Sequence, residues 1–333
     1  MLPQRIVKKL QKSKNLLAFS GGGDSTALFY LLLEYDIAFD IAIVDYGVRA
    51  QSKEEISYAK ELAEKYEKKC YIKTAPRFAS NFEANARKIR YTFFEELIHL
   101  HGYDTLLTAH HLGDRLEWFM MQLCKGAGCI ELSGMQMSEQ REHYTLVRPL
   151  LQCTKEELLA YLQEKKIRYY HDRSNDDETF LRNRFRHNFA EPLLQEFKEG
   201  IRRSFAYMDE DKALLQEECK IVTEGAMSCF VKPSSYRAAL ICIDKELKKR
   251  GYLLSAFEKE QLKKGKNTIV GRRYLVLFHA QLACIAPYSD EKPTLPKKFK
   301  EECRKLSIEP KLRAFLYENP SAFEVFKNLI QAA

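Results

Sequence analysis

The sequence predicts an α/β fold, a doubly wound parallel sheet followed by a smaller C-terminal domain. Three observations carry that expectation. Short apolar runs alternate with helix-patterned stretches through the first half of the chain, and repeated βα units build a parallel sheet covered by helices on both faces. A glycine cluster, Gly21–Gly23, joins the first apolar run to the first helix-patterned stretch. Beyond about residue 215 the alternation gives way to basic clusters, which sets the expected division at 1–215 and 216–333.

The elements follow in order. Leu16–Phe19 reads as a strand and Thr26–Leu33 as the helix after it. Ile41–Val44 is a second strand, ending at Asp45. Ser52-x-x-Glu55 has the form of a capping box opening a helix toward Lys69, because each side chain can accept the other's free backbone N–H. Cys70–Lys73 is a short strand, Asn81–Leu100 a helix stopped near Gly102, Thr105–Ala109 a strand and Gly113–Cys124 a helix. Arg148-Pro149-Leu150-Leu151 breaks the pattern, and Thr154-x-x-Glu157 starts a helix to about Lys166. The polar run His171–Asp177 reads as a loop, Pro192 to about Lys220 as a connecting helix, and Tyr274–Phe278 as a strand. Ligands in parallel sheets bind beyond the carboxyl ends of the strands. Ser20, Asp45 and His110 stand at three such ends and are expected to converge on one crevice.

The run Ser20-Gly21-Gly22-Gly23-Asp24-Ser25 carries the first chemistry. Glycines let a backbone turn sharply and bring its N–H groups against a ligand, and the helix start adds free donors and a positive dipole end. The result is a cradle for pyrophosphate. It has neither the lysine of a Walker loop nor the spacing of a dinucleotide fingerprint. Asp24 is a candidate metal ligand, or only a helix cap. The second constellation is His110-His111-x-x-Asp114-x-x-Glu117. Asp114 and Glu117, three residues apart, share a helix face and can hold Mg²⁺, orient an ammonium group or act as a base; the plain alternative is a solvated helix start whose acids favour the dipole.

Composition sets the limits. The 333 residues are 45% hydrophobic and 30% charged, ordinary for a globular protein. No apolar run reaches membrane-span length. The basic stretch Met1–Lys14 lacks a secretory core and cleavage site, which predicts a cytoplasmic protein with no membrane partner. The nine cysteines form no CxxC pair and are expected to be reduced core thiols. Net charge is +8. It concentrates in Arg182, Arg184, Arg186, Arg202 and Arg203, in Lys245–Arg250 and in Lys263–Arg273, the footprint of a nucleic-acid binder.

The glycine loop resembles the PP-loop of ATP pyrophosphatases, the adenine nucleotide alpha hydrolase-like fold. Through most of its length the chain resembles the tRNA(Ile)-lysidine synthase family. The resemblance runs through Asp45-Tyr46-Gly47-Val48-Arg49, Asn81-x-Glu83-x-x-Ala86-Arg87-x-x-Arg90-Tyr91, His110–Glu117, Lys125-Gly126-Ala127-Gly128 and Arg148–Leu151. Its most selective parts are Asp172-x-Ser174-Asn175 and Arg182-Asn183-x-x-Arg186-His187. After about residue 215 it rests on position and basic character.

The resemblance implies ATP-dependent attachment of L-lysine to the wobble cytidine of an isoleucine tRNA with a CAU anticodon, with Mg²⁺ as the metal. Ser20–Ser25 would bind ATP. Asp45, His110, Asp114 and Glu117 would form the catalytic and lysine-binding group, and Arg87, Arg182 and Arg186 would contact phosphates of ATP or tRNA. The basic C-terminal domain would bind tRNA, and a homodimer is compatible with this reading. Three positions depart from the family. Tyr46 stands where it usually has His, Arg115 where it has Gln, and Trp118 where it has Thr; Arg115 is expected to add positive charge beside the two acids. The alternatives are a tRNA cytidine thiolase of the same fold, which Cys124, Cys129 and Cys153 would have to serve, and a non-catalytic tRNA-binding protein.

Overall fold

The computed structural model describes all residues except 48–50, 77, 79–81, 171–180, 216–219, 232, 234, 280–281, 291–292 and 333. It separates into two units, Met1–Ala213 and Leu214–Ala333.

In the first unit the strands are β1 (Asn15–Ala18), β2 (Phe39–Asp45), β3 (Cys70–Thr74), β4 (Thr105–Leu107), β5 (Ser138–Gln140) and β6 (Thr145–Val147). Their order is β3-β2-β1-β4-β6-β5. All pair in parallel except β5, which runs antiparallel to β6. The helices are α1 (Gln4–Leu10), α2 (Gly23–Glu34), α3 (Gln51–Lys65), α4 (Phe82–His101), α5 (Leu112–Leu123), α6 (Cys129–Leu132), α7 (Lys155–Glu164), α8 (Leu181–Phe185) and α9 (Glu191–Leu215). A π-helical turn, Arg186–Ala190, joins α8 to α9.

Strand neighbours send their side chains to opposite faces, and the core divides accordingly. Leu17, Ile41, Ile43, Leu107 and Val147 pack on one face with Leu28 of α2, Leu62 of α3 and Leu158 of α7. Leu16, Ala42, Leu106 and Leu146 pack on the other with Phe93, Phe94 and Leu97 of α4. That two-sided burial is the doubly wound arrangement. The chain steps outward from β1 through β2 to β3, then crosses back to β4 and β6. The direction reverses between β1 and β4, where such sheets open a ligand crevice.

Most expected elements are present within a few residues of their expected bounds. In this unit two strands, β5 and β6, have no counterpart among the expected elements, because their three-residue runs give too little periodicity to read. The Thr154 capping box forms: Thr154 N–H donates to Glu157 Oε2 at 2.8 Å and Glu157 N–H to Thr154 Oγ1 at 3.2 Å. Helix α3 starts at Gln51, one residue before the Ser52 expected to open it.

In the second unit, β7 (Lys220–Glu224), β8 (Met227–Val231), β9 (Thr268–Val270), β10 (Tyr274–His279) and β11 (Leu282–Pro287) form an antiparallel sheet in the order β7-β8-β11-β10-β9. One face carries α10 (Tyr236–Lys249) and α11 (Ala256–Lys263) through Ile243, Leu247 and Leu262. The other carries α12 (Lys297–Lys305), α13 (Arg313–Glu318) and α14 (Pro320–Gln331) through Cys303, Leu316 and Phe326. No helix among the described residues is long and apolar enough to cross a membrane. The expectation of core thiols holds for Cys153, Cys229, Cys284 and Cys303 but not for Cys124 and Cys129, which are exposed at the end of α5 and the start of α6.

Candidate active site at the carboxyl ends of β1 and β4

The glycine loop leaves β1 and turns into α2. Gly21 has φ +77°, a left-handed conformation that glycine adopts without a Cβ clash. A Cβ on Gly23 would stand 3.2 Å from Leu159 Cδ2 and 3.4 Å from the Tyr169 ring. Ser25 Oγ donates to Gly22 O at 3.1 Å and accepts the Ser20 N–H at 3.2 Å, and the two serine hydroxyls lie 3.0 Å apart. These serines therefore brace the loop before they serve any ligand. The N-cap of α2 is Gly22, with no side-chain cap, so first-turn N–H groups remain for an anion. Tyr170 runs parallel to Gly22 and donates its N–H to Gly21 O at 3.0 Å. Sequence reasoning missed that backing segment; the bulky pair Tyr169-Tyr170 was its signal.

Asp24, in the first turn of α2, faces the start of α5. Its Oδ2 lies 3.8 Å from His111 Nε2, and its Oδ1 is buried with no hydrogen-bond partner. Burial raises the Asp24 pKa, with His111 acting against it. His111 is the N-cap of α5: its Nδ1 accepts the Gly113 N–H at 3.0 Å, while its backbone N–H donates to Asp114 Oδ2 at 3.0 Å. A histidine is an unusual cap, and no sequence signal assigned it that part. His110, one residue earlier, holds Thr108 Oγ1 at 2.9 Å through Nδ1. Burial, reinforced by Arg148, Arg182 and Arg87 against Asp114, pushes the His110 pKa down to about 4, so the ring is neutral at physiological pH.

Asp114 and Glu117 do share one face of α5, and both are buried. Their partners are Arg182 and Arg186. Arg182 Nη2 donates to Asp114 Oδ1 at 2.6 Å and its Nε to Glu117 Oε2 at 2.8 Å. Arg186 Nε donates to Glu117 Oε1 at 2.6 Å and its Nη2 to Glu117 Oε2 at 3.4 Å. Burial alone would raise the Asp114 carboxyl. His111, Arg182, His110 and the His111 N–H outweigh it and hold Asp114 well below the usual carboxylate range. The two arginines expected at phosphates thus pair with the acids.

Other expected residues stand less centrally. Asp45 ends β2, where its Oδ1 accepts the Gly47 N–H at 2.8 Å in a local turn. Arg87 is exposed on α4 and stacks 4.7 Å from the centre of the Tyr91 ring. Tyr46 donates its hydroxyl to Ala86 O at 3.2 Å, on the same helix. The expectation for Arg115 is corrected: its guanidinium points to Asp209 and not to the acid pair. Trp118 is exposed and packs against Gly134, whose added Cβ would meet the indole at 2.2 Å. Arg148 is buried and holds Gln136 O and Glu139, a structural part. Asp172, Ser174, Asn175, Val48, Arg49 and Asn81 lie outside the described residues.

A PP-loop domain family matches residues 3–193. The tRNA(Ile)-lysidine synthase of Campylobacter jejuni strain RM1221 is 43% identical over 324 residues, covering 96% of this chain and 97% of that protein. Those of Helicobacter pylori and Wolinella succinogenes are each 44% identical and cover 93% of this chain, and 91% and 94% of their own lengths. Among solved structures, the U34-tRNA thiolase NcsA of Methanococcus maripaludis matches with a TM-score of 0.52 at 19% identity, over 65% of this chain and 80% of that one. That last likeness concerns the fold alone. With a glycine loop, an acid pair and near-full-length matches of this kind, the chain belongs to the tRNA(Ile)-lysidine synthase family of PP-loop proteins.

Proposed function

We propose that this chain is an ATP-dependent ligase that joins L-lysine to C2 of the wobble cytidine in an isoleucine tRNA with a CAU anticodon. The observation that carries this is the acid pair Asp114–Glu117 beside the PP-loop, in a chain matched almost end to end by relatives of that name. Cytidine O2 attacks the α-phosphate of ATP, forming an O–P bond as pyrophosphate leaves. The lysine ε-amine, having lost a proton, then attacks C2, and AMP departs with that oxygen. The modified base pairs with A, so the tRNA reads AUA.

The loop N–H groups and the α2 terminus suit the pyrophosphate. Neutral His110 is placed to give or take one hydrogen bond without adding charge. Asp114 and Glu117 would receive the lysine ammonium once Arg182 or Arg186 turns toward phosphate. That ammonium must give up a proton before it attacks C2, because only the free amine is nucleophilic; the acid pair that holds it would take the proton. Mg²⁺ fits Asp24, whose buried Oδ1 is unpartnered. Among the described residues no cluster of three or more His, Cys, Asp or Glu forms a protein cage, so Asp24 would share the ion with phosphate oxygens. When bound, the ion would offset phosphate charge.

The thiolase reading is less supported: Cys153 lies in the core while Cys124 and Cys129 are exposed. Cytoplasmic action follows from the tRNA substrate. The exposed residues Lys263, Lys264, Lys266, Arg272 and Arg273 make the second unit the proposed tRNA grip. Pyrophosphate release that needs both ATP and the isoleucine tRNA, but not lysine, tests the first step; release independent of tRNA would contradict it.

A further inference from the structure

Helix α5 carries charges that face two ways. Asp114 and Glu117 meet Arg182 and Arg186. Arg115, between them in sequence, meets the end of α9. Its Nη1 donates to Asp209 Oδ2 at 2.9 Å and its Nη2 to Asp209 Oδ1 at 2.6 Å, a two-pronged pair. Nη2 also reaches Ser133 O at 3.5 Å, and the guanidinium lies 4.4 Å from the centre of the Phe205 ring. Arg115 is only 4% exposed, and Phe205 packs with Leu112 and Leu116 of α5.

The segment from α8 through α9, kinked at Phe197, therefore holds α5 at two places with opposite polarity. Its early arginines take the acids of α5, and its late aspartate takes the arginine of α5. Successive residues on a helix point about 100° apart, so turning α5 enough to free Arg115 would swing Asp114 and Glu117 off their partners. A bidentate guanidinium–carboxylate pair fixes orientation as well as distance.

We propose that Arg115 is a positioning residue: its fork on Asp209 sets the rotation of α5 and so aims Asp114 and Glu117 at the lysine ammonium. The proposal rests on the lysine-binding assignment of those acids. It predicts that weakening the fork damages lysine use more than adenylation, since the PP-loop is carried by β1 and α2.

The test uses the full chain as Arg115→Gln, Arg115→Lys and Asp209→Asn. Pyrophosphate release on tRNA without lysine, and the lysine KM and kcat of the complete reaction, are measured with a thermal melt of each variant. The expected result is a lysine KM raised on the order of tenfold to a hundredfold in Arg115→Gln and Asp209→Asn. Pyrophosphate release should stay within about twofold, and Arg115→Lys should recover only part of the loss, as expected where a fork is replaced by a point charge. Should Arg115→Gln fail to fold, Asp209→Asn, which keeps side-chain volume, carries the same comparison. An unchanged lysine KM in a folded variant overturns the proposal. So does a parallel fall of both steps that merely follows melting temperature. Failure of the lysine-binding assignment is distinguishable, because Glu117→Gln would then also leave the lysine KM unchanged.

Discussion

Replacing Glu117 by Gln tests the acid pair most sharply. The carboxylate is 2% exposed and receives Arg186 Nε at 2.6 Å and Arg182 Nε at 2.8 Å. Gln keeps the shape but sets an amide NH₂ against one guanidinium and removes the charge opposite both. Breaking a buried pair from one side costs roughly 3–5 kcal/mol. Here Asp114 still holds Arg182 at 2.6 Å, and the Arg182 side chain is 38% exposed, which brings the expected loss to about 2–3 kcal/mol. For a unit of this size that is a melting shift of roughly 4–12 °C. If the same carboxylate binds the lysine ammonium, the lysine KM should rise by at least ~30-fold, the equivalent of ~2 kcal/mol, while tRNA-dependent pyrophosphate release is largely kept. Both are read by differential scanning calorimetry and by steady-state kinetics below the melting range. A variant that melts lower yet keeps its lysine dependence would make Glu117 a structural counter-ion only.

Gly21→Ala should cost ~1–2 kcal/mol because φ is +77° there, and should weaken ATP binding measured by calorimetry; ATP affinity equal to that of the parent chain would remove the loop from the nucleotide site. His110 has a folded pKa near 4 against an unfolded value near 6.5. Its contribution is therefore fully present above about pH 6.5 and is lost as pH falls toward 4, on the order of 3 kcal/mol in all. His110→Asn should flatten that acid limb in urea unfolding measured from pH 7 to 4.5, and parallel limbs would refute the burial argument. Changing Lys264, Lys266, Arg272 and Arg273 to Gln should reduce the salt slope of tRNA affinity by roughly one for each phosphate that is no longer neutralised; an unchanged slope would place the tRNA elsewhere.

Much of the site is legible in the sequence because its signals are local. The Gly21–Gly23 turn, the three-residue spacing of Asp114 and Glu117, and the strand ends before Ser20 and His110 are all fixed by neighbours along the chain. What escapes depends on distant partners. Nothing near Arg115 shows that Asp209 waits 94 residues on, so proximity to the acids misplaces its charge. Arg182 and Arg186 are marked by motif and charge, but their pairing with α5 spans a similar gap. The strands β5 and β6 are too short to show alternation, and of the antiparallel sheet of the second unit Tyr274–Phe278 alone stands out as a strand. Cys124 and Cys129 belong inside on residue type, but the segment that carries them runs at the surface.

The most direct measurement is the mass of the wobble nucleoside after the protein is incubated with the isoleucine tRNA, ATP and isotope-labelled lysine. The proposed reaction requires that the cytidine gain one lysine less one water, that the label be retained through its ε-nitrogen, and that AMP and pyrophosphate appear in equal amount to the modified base. A cytidine that stays unmodified while ATP is consumed, or that exchanges its oxygen for sulfur when a sulfur donor is supplied, would contradict it.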